Sequence, residues 1–153
     1  MTEQAGTEFY LVASRNTKDA RGREVFEQLA REEAEHQHWL KRQYQHLLEN
    51  RPFESFRASR HADLSGSSPI FSEALVSRIG EAHWEMTALS VGLTLEHATI
   101  VRYRALAGLA GHPDARRFFE ELAAWEETHA EALKRQHDLL VQSYWQQARF
   151  APF

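Results

Sequence analysis

Glu33 and His36, and again Glu126 and His129, stand three residues apart in the middle of two otherwise apolar helical stripes. The first stripe reads Phe26, Leu29, Ala30, Glu33, His36, Leu40 and Leu47. The second, 93 positions on, reads Phe119, Leu122, Ala123, Glu126, His129, Leu133 and Leu140. Spacings of three and four residues put each set on one helix face. That face is expected to be buried, and a buried carboxylate is costly unless something neutralises it. One Glu-x-x-His on a solvated face is ordinary polar surface. Two such pairs on core-facing stripes are most simply read as ligands to a metal centre inside a helical bundle.

Two further carboxylates complete the set. Glu3 and Glu96 occupy matching places in the two halves, and each precedes a tyrosine, Tyr10 and Tyr103, by seven residues or two helical turns. The total is four carboxylates and two imidazoles. One Glu from each of two helices, with Glu-x-x-His from each of two others, is the donor set that holds two iron or two manganese ions in four-helix carboxylate bundles. Carboxylates can bridge two cations, and an imidazole can cap each at its far end. Hard oxygen donors with one nitrogen per cation suit Fe, or Mn, better than a structural zinc. Glu3 falls in the first helical turn, where fraying is expected.

Other residues carry less. His38, His46, His61, His83, His97, His112 and His137 have no matched partner and are expected at the surface or rim. His97 adjoins Glu96 but points about 100° away around the helix. Trp39, Trp84, Trp125 and Trp145 read as packing or dimer-contact residues. Lys41-Arg42 and Lys134-Arg135 lie toward helix C-termini, where they favour the dipole and solubility.

The elements that must position these groups follow from an internal repeat. A shift of 93 aligns Glu3–Leu47 with Glu96–Leu140 without a gap, and 15 of the 45 positions are identical. The identities gather on the buried stripe and the candidate ligands, and include the whole Leu40–Gln43 and Leu133–Gln136 run. Each half reads as a helical hairpin that cannot bury its apolar face alone, so the halves must pack on each other. The first helix is expected from Thr2 to Ser14, and the second, after the turn RNTKD, as far as Glu49 before Pro52. Residues 51–70 form a long connection. Ser68-Pro69 looks like the cap and first turn of a third helix running from Ile70 to Ala110, with Gly80 and Gly92 as points of bending or interruption. Pro113 opens the fourth, which runs to about Gln147. The expectation is an all-α four-helix bundle of two antiparallel hairpins with a long crossover, one domain over residues 1–153.

Composition sets limits on function. The chain has 153 residues, 42% apolar and 26% charged, with a net charge of −4 from interspersed signs, which argues against nucleic acid as a partner. It contains no cysteine, so disulfides, thiolate metal sites and a Cys-ligated electron-transfer module have no place within it. No uninterrupted apolar run approaches the roughly 20 residues of a membrane span, and Met1-Thr2-Glu3-Gln4 lacks the basic and apolar regions of a signal peptide. A soluble, cytoplasmic protein is expected.

EQAGTEFYLVASRNTKDARGREVFEQLAREEAEHQHWL, Glu3 to Leu40, resembles the rubrerythrin branch of the ferritin-like superfamily, and EHATIVRYRALAGLAGHPDARRFFEELAAWEETHAEAL, Glu96 to Leu133, repeats it. The resemblance implies a centre of two Fe ions that reacts with peroxide or dioxygen. It implies that Glu33 and Glu126 bridge the irons, that Glu3 with His36 and Glu96 with His129 complete the two ends, and that Tyr10 and Tyr103 orient carboxylates. It also implies an external electron donor, since a full rubrerythrin carries a Cys-ligated rubredoxin module that this chain lacks. Rubrerythrins have an extra carboxylate on the third helix. Here Thr99 and Ile100 stand one turn after Glu96, and Gly92 and Leu93 one turn before it.

The leading expectation is thus a non-haem di-iron oxidoreductase acting on H₂O₂ or O₂, a peroxidase or a ferroxidase. An iron-storage cage subunit is the alternative, although no Met stands at the haem-binding place beside Glu33, where Ala34 is found. A bundle merely stabilised by metal, or an oxygen-activating enzyme for an organic substrate, are further options. A homodimer is expected from the resemblance and from aromatics such as Phe150 and Phe153 near the C-terminus.

Overall fold

The breaks in the sequence become helix ends. The computed structural model describes residues 2–54 and 70–147. Among them, α1 (Thr2–Asn16), α2 (Ala20–Leu48), the short α3 (Glu73–Val76), a 3₁₀ turn (Ile79–Glu81), α4 (His83–Leu109) and α5 (Pro113–Gln147) follow in order. Asp19 caps α2, its carboxylate accepting from the Gly22 amide at 2.8 Å, and it also accepts from the Ser72 hydroxyl. At the other end of α2 the Arg51 amide returns to the His46 carbonyl at 2.8 Å, with Asn50 at φ 52°, a left-handed conformation that Asn tolerates. Pro113 opens α5, where its missing N–H costs nothing.

The three-residue turns 17–19 and 110–112 fold α1 back on α2 and α4 back on α5. The two hairpins meet along α1 and α4, whereas α2 and α5 face each other through long side chains across the middle. This is the all-α bundle the repeat calls for. Glu85, buried in the first turn of α4, accepts from the Thr17 hydroxyl at 2.8 Å and the Lys18 amide at 3.3 Å, which ties the α1–α2 turn to the neighbouring hairpin.

The repeat-matched glutamines hold the two ends of the crossover. Gln43 pairs with the backbone of Glu54 in both directions, at 2.9 and 3.1 Å, and Gln136 accepts from the Ile70 amide at 2.6 Å. Both are buried, so each lost bond would strand a polar group in the core.

Apolar side chains form two layers. The larger joins Tyr10, Phe26, Leu29, Leu89, Leu133 and Leu140 with Ile70, Phe71 and Ile79 of the returning crossover. The smaller joins Tyr103, Phe118, Leu122 and Ala123. Each large side chain so buried contributes roughly 1.5–3 kcal/mol. The candidate ligands lie between the layers.

Several expectations change. The third helix, expected from Ile70 with Gly80 and Gly92 as points of bending or interruption, starts at Glu73 as α3. It is interrupted at Gly80, where the 3₁₀ turn separates α3 from α4 and lets Ile79 turn into the core. Gly92 causes no break: a Cβ there would lie 3.2 Å from the Tyr10 hydroxyl, so the glycine admits the tyrosine. Leu47 was expected on a buried face but is 58% exposed, while its repeat mate Leu140 is fully buried. The reason is that Ile70, Phe71 and Ile79 cover only the Leu140 end of the bundle. His46, expected at the surface, is buried with its Nδ1 2.9 Å from the Pro52 carbonyl. The expected cap at Ser68-Pro69, His61, Phe150 and Phe153 lie outside the described residues.

Candidate metal centre

Glu3 from α1, Glu33 and His36 from α2, Glu96 from α4, and Glu126 and His129 from α5 converge between the two apolar layers, and all six are buried. Their donor atoms fall into two groups, Glu3, Glu33, His36 and Glu126, and Glu33, Glu96, Glu126 and His129. Within each group the donor atoms lie within 4.8 Å of one another. Glu33 and Glu126 belong to both groups. The two imidazoles stand at opposite ends with ring centroids 6.0 Å apart.

His36 Nδ1 is 2.9 Å from Glu126 and 3.6 Å from Glu3, and His129 Nδ1 is 3.3 Å from Glu126, 3.7 Å from Glu33 and 3.8 Å from Glu96. Both rings therefore turn the same nitrogen inward. Glu3, in the frayable first turn of its helix, is only 1% exposed and accepts a hydrogen bond from the Tyr103 hydroxyl. Tyr10 donates in the same way to Glu96. Each tyrosine thus serves the glutamate of the other hairpin, not the one on its own helix. The crossing locks the hairpins together through the carboxylates themselves.

The donor set fits a pair of cations. Glu33 Oε1, both oxygens of Glu126 and His129 Nδ1 are buried without a well-directed hydrogen bond. Acceptor atoms gathered around a common point in a dry core need positive charge there. Gly6 makes room for this arrangement, since a Cβ at that position would lie 2.8 Å from Glu33 Oε2. Without metal, protons take the place of cations. Burial and the neighbouring Glu126 charge push the Glu33 carboxyl up to about 8. Burial opposes the charge on His36, but the Glu126 and Glu3 carboxylates outweigh it and raise the ring to about 10. His129 is likewise raised against its burial by Glu126 and Glu32. Burial also drives up Glu96, whereas the two rings beside Glu126 hold that carboxylate below its ordinary range despite burial.

The family model for rubrerythrin matches residues 1–137. The chain belongs to the rubrerythrin family. No significant match is found among curated proteins or solved structures. As expected of a rubrerythrin, the bundle brings its buried carboxylates and imidazoles into clusters that could bind metal. Among the described residues, no helix is long and apolar enough to cross a membrane. Thr99, one turn after Glu96 on α4, is buried and carries no carboxylate.

Two residues at the site were not singled out as ligands or their supports. Glu32 is buried with Oε2 2.7 Å from His129 Nε2. Trp125, read as a packing residue, stands edge-on to His36 at 5.3 Å and brings its indole nitrogen 3.1 Å from His129 Nε2. The signal for Glu32 was its spacing, three residues after Leu29 and four before His36, which places it at the edge of the buried stripe. For Trp125 no comparable signal exists, because a large aromatic beside a core stripe is ordinarily packing.

Proposed function

We propose that the chain is a non-haem di-iron oxidoreductase that reduces hydrogen peroxide or dioxygen at a centre held by Glu3, Glu33, His36, Glu96, Glu126 and His129. The observation that supports this reading is the sharing of Glu33 and Glu126 between two buried four-residue groups. Carboxylates shared in this way place two cations close enough to act on one oxidant. Bound as Fe(II), the pair supplies two electrons, which with two protons convert one H₂O₂ to two waters.

The chain's own residues prepare that chemistry. Glu33 and Glu126, shared by both groups, would hold both cations, while Glu3 with His36 and Glu96 with His129 would complete one position each. Tyr10 and Tyr103 hold Glu96 and Glu3 in place, each keeping its proton because burial and the adjacent carboxylate drive the phenol far above its ordinary range. The two apolar layers exclude bulk water. With no cysteine in the 153 residues, the electrons that restore the centre come from an external donor, and a reducing cytoplasm suits the protein.

The test is to load the protein anaerobically with Fe(II) and mix it with sub-stoichiometric H₂O₂ or O₂ while following the Fe(III) absorbance. One H₂O₂ consumed per two irons, with repeated turnover when a reductant is supplied, supports a peroxidase. Rapid oxidation by O₂ alone supports a ferroxidase. Failure of either oxidant to outpace its reaction with free Fe(II) overturns the reading.

The same reading includes a homodimer. Exposed residues without charge follow heptad spacing along α4, Trp84, Val91 and Ala98 with Thr87, Thr94 and Val101 between them, and the exposed Arg102 and Arg104 come only near its C-terminal end. Such a stripe on an outward helix face suits the antiparallel packing of a second copy.

A further inference from the structure

Positions 32 and 125 are equivalent under the shift of 93, yet one is Glu and the other Trp. Both side chains arrive at the same atom. Glu32 Oε2 lies 2.7 Å from His129 Nε2, and the Trp125 indole N–H donates to the same nitrogen at 3.1 Å, on the side of the ring away from the other candidate ligands. The near twofold symmetry of the centre is therefore broken at this pair of positions, and both side chains reach the His129 ring.

We propose that Glu32 is a positioning residue that makes the two metal positions unequal, so that the group Glu33, Glu96, Glu126 and His129 is the one a divalent cation fills first. The inference rests on the reading of the centre as a metal site. An imidazole presents a lone pair at one nitrogen when the other donates its proton to a hydrogen-bond partner. With a cation at Nδ1 the ring proton sits on Nε2, where Glu32 can accept it and the Trp125 indole N–H, a donor only, cannot, so Glu32 turns the Nδ1 lone pair toward Glu33, Glu96 and Glu126. A carboxylate acceptor also makes the ring a stronger donor to a metal.

Glu32 is itself fixed from outside. Gln28 donates to Glu32 Oε1 at 2.7 Å, and Arg31 in turn donates to the Gln28 carbonyl at 2.7 and 3.1 Å. A chain of hydrogen bonds thus runs from an exposed guanidinium to the ring of His129. At the equivalent place in the other half Trp125 offers His36 the edge of an aromatic ring and no carboxylate.

Anaerobic calorimetric titration with Co(II) tests this without turnover. The unmodified protein is expected to bind two equivalents in two steps, the first tighter. His129→Gln should remove the first step, and His36→Gln the second. Glu32→Gln, which keeps the shape of the side chain, should weaken the first step about 10- to 100-fold and leave the second little changed. Trp125→Phe should keep the order of the steps, because the carboxylate and not the indole takes the ring proton. Two equivalents bound with one affinity, or a first step within twofold of the parent in Glu32→Gln, would overturn the proposal while leaving the metal site standing. No Co(II) binding by the unmodified protein would overturn the metal reading beneath it.

Discussion

Protons held by the metal-free centre make its stability and its metal affinity depend on pH in opposite senses. Glu33 is raised from 4.5 to about 8 and His36 from 6.5 to about 10 on folding. A raised folded value means stability that is complete below the unfolded pKa and lost as pH climbs through the folded one. Glu33 loses its contribution between about 4.5 and 8, and His36 between about 6.5 and 10. Glu126 works the other way, since its lowered value gives stability that disappears only in acid. Above pH 6.5 both raised groups act together, so the metal-free protein should melt at a lower temperature at pH 9 than at pH 7. Cations replace those protons, so loading at pH 7 should release protons, measurable by calorimetry in buffers of different ionisation heat. A melting temperature that does not fall, or binding without proton release, would contradict this picture. At this scale the sequence was informative where residues repeat. Glu33, His36, Glu126 and His129 stand out because the same types recur at the same spacing, and Glu3, Glu96, Tyr10 and Tyr103 follow from the same register. Glu32 and Trp125 do not repeat, and their importance comes from a partner 97 residues away for Glu32, which no local pattern shows.

Among the elements, helix ends were legible wherever a backbone rule applies. Pro113 opens α5 and Asp19 caps α2. The third helix was harder to read, because whether Gly80 interrupts a helix depends on what the next turn buries. Gly22 shows the same dependence. It lies in the first turn of α2, and a Cβ there would fall well inside 3.0 Å of the Phe71 ring, which is fully buried. An alanine normally favours a helix over glycine, yet Gly22→Ala should destabilise the protein by about 1–3 kcal/mol through overpacking. Chemical denaturation of the variant tests this, and a neutral or stabilising result would mean that Phe71 moves aside freely. The crossover itself gave no sign in the sequence of where it touches the bundle. Those contacts belong to Gln43 and Gln136, whose identity in the repeat was visible although their work was not.

For the molecule as a whole, the duplication explains both the architecture and its unevenness. Two hairpins related by the repeat bring their stripes together and close a centre that neither could form alone. The unevenness shows at Leu140, buried in one cluster with Ile70, Phe71 and Ile79, and at its exposed repeat mate Leu47. It also shows in α4, where the exposed stripe from Trp84 to Val101 carries no charge. If that face packs on a second copy, Val101→Glu should convert a dimer to a monomer in sedimentation, with the helical content unchanged. A chain that is already monomeric, or a dimer indifferent to the substitution, would remove α4 as the contact. Assembly into a very large particle would favour iron storage instead.

The central claim is that the six converging side chains hold two metal ions, and it is tested most directly by counting metal. The protein is loaded anaerobically with Fe(II), freed of unbound ion and analysed for iron per chain, beside a Glu33→Ala/Glu126→Ala variant of equal helical content. Because Glu33 and Glu126 belong to both donor groups, about two irons per chain are expected in the parent and almost none in the variant. A parent that retains no stoichiometric iron, or a variant that retains as much as the parent, would contradict the account.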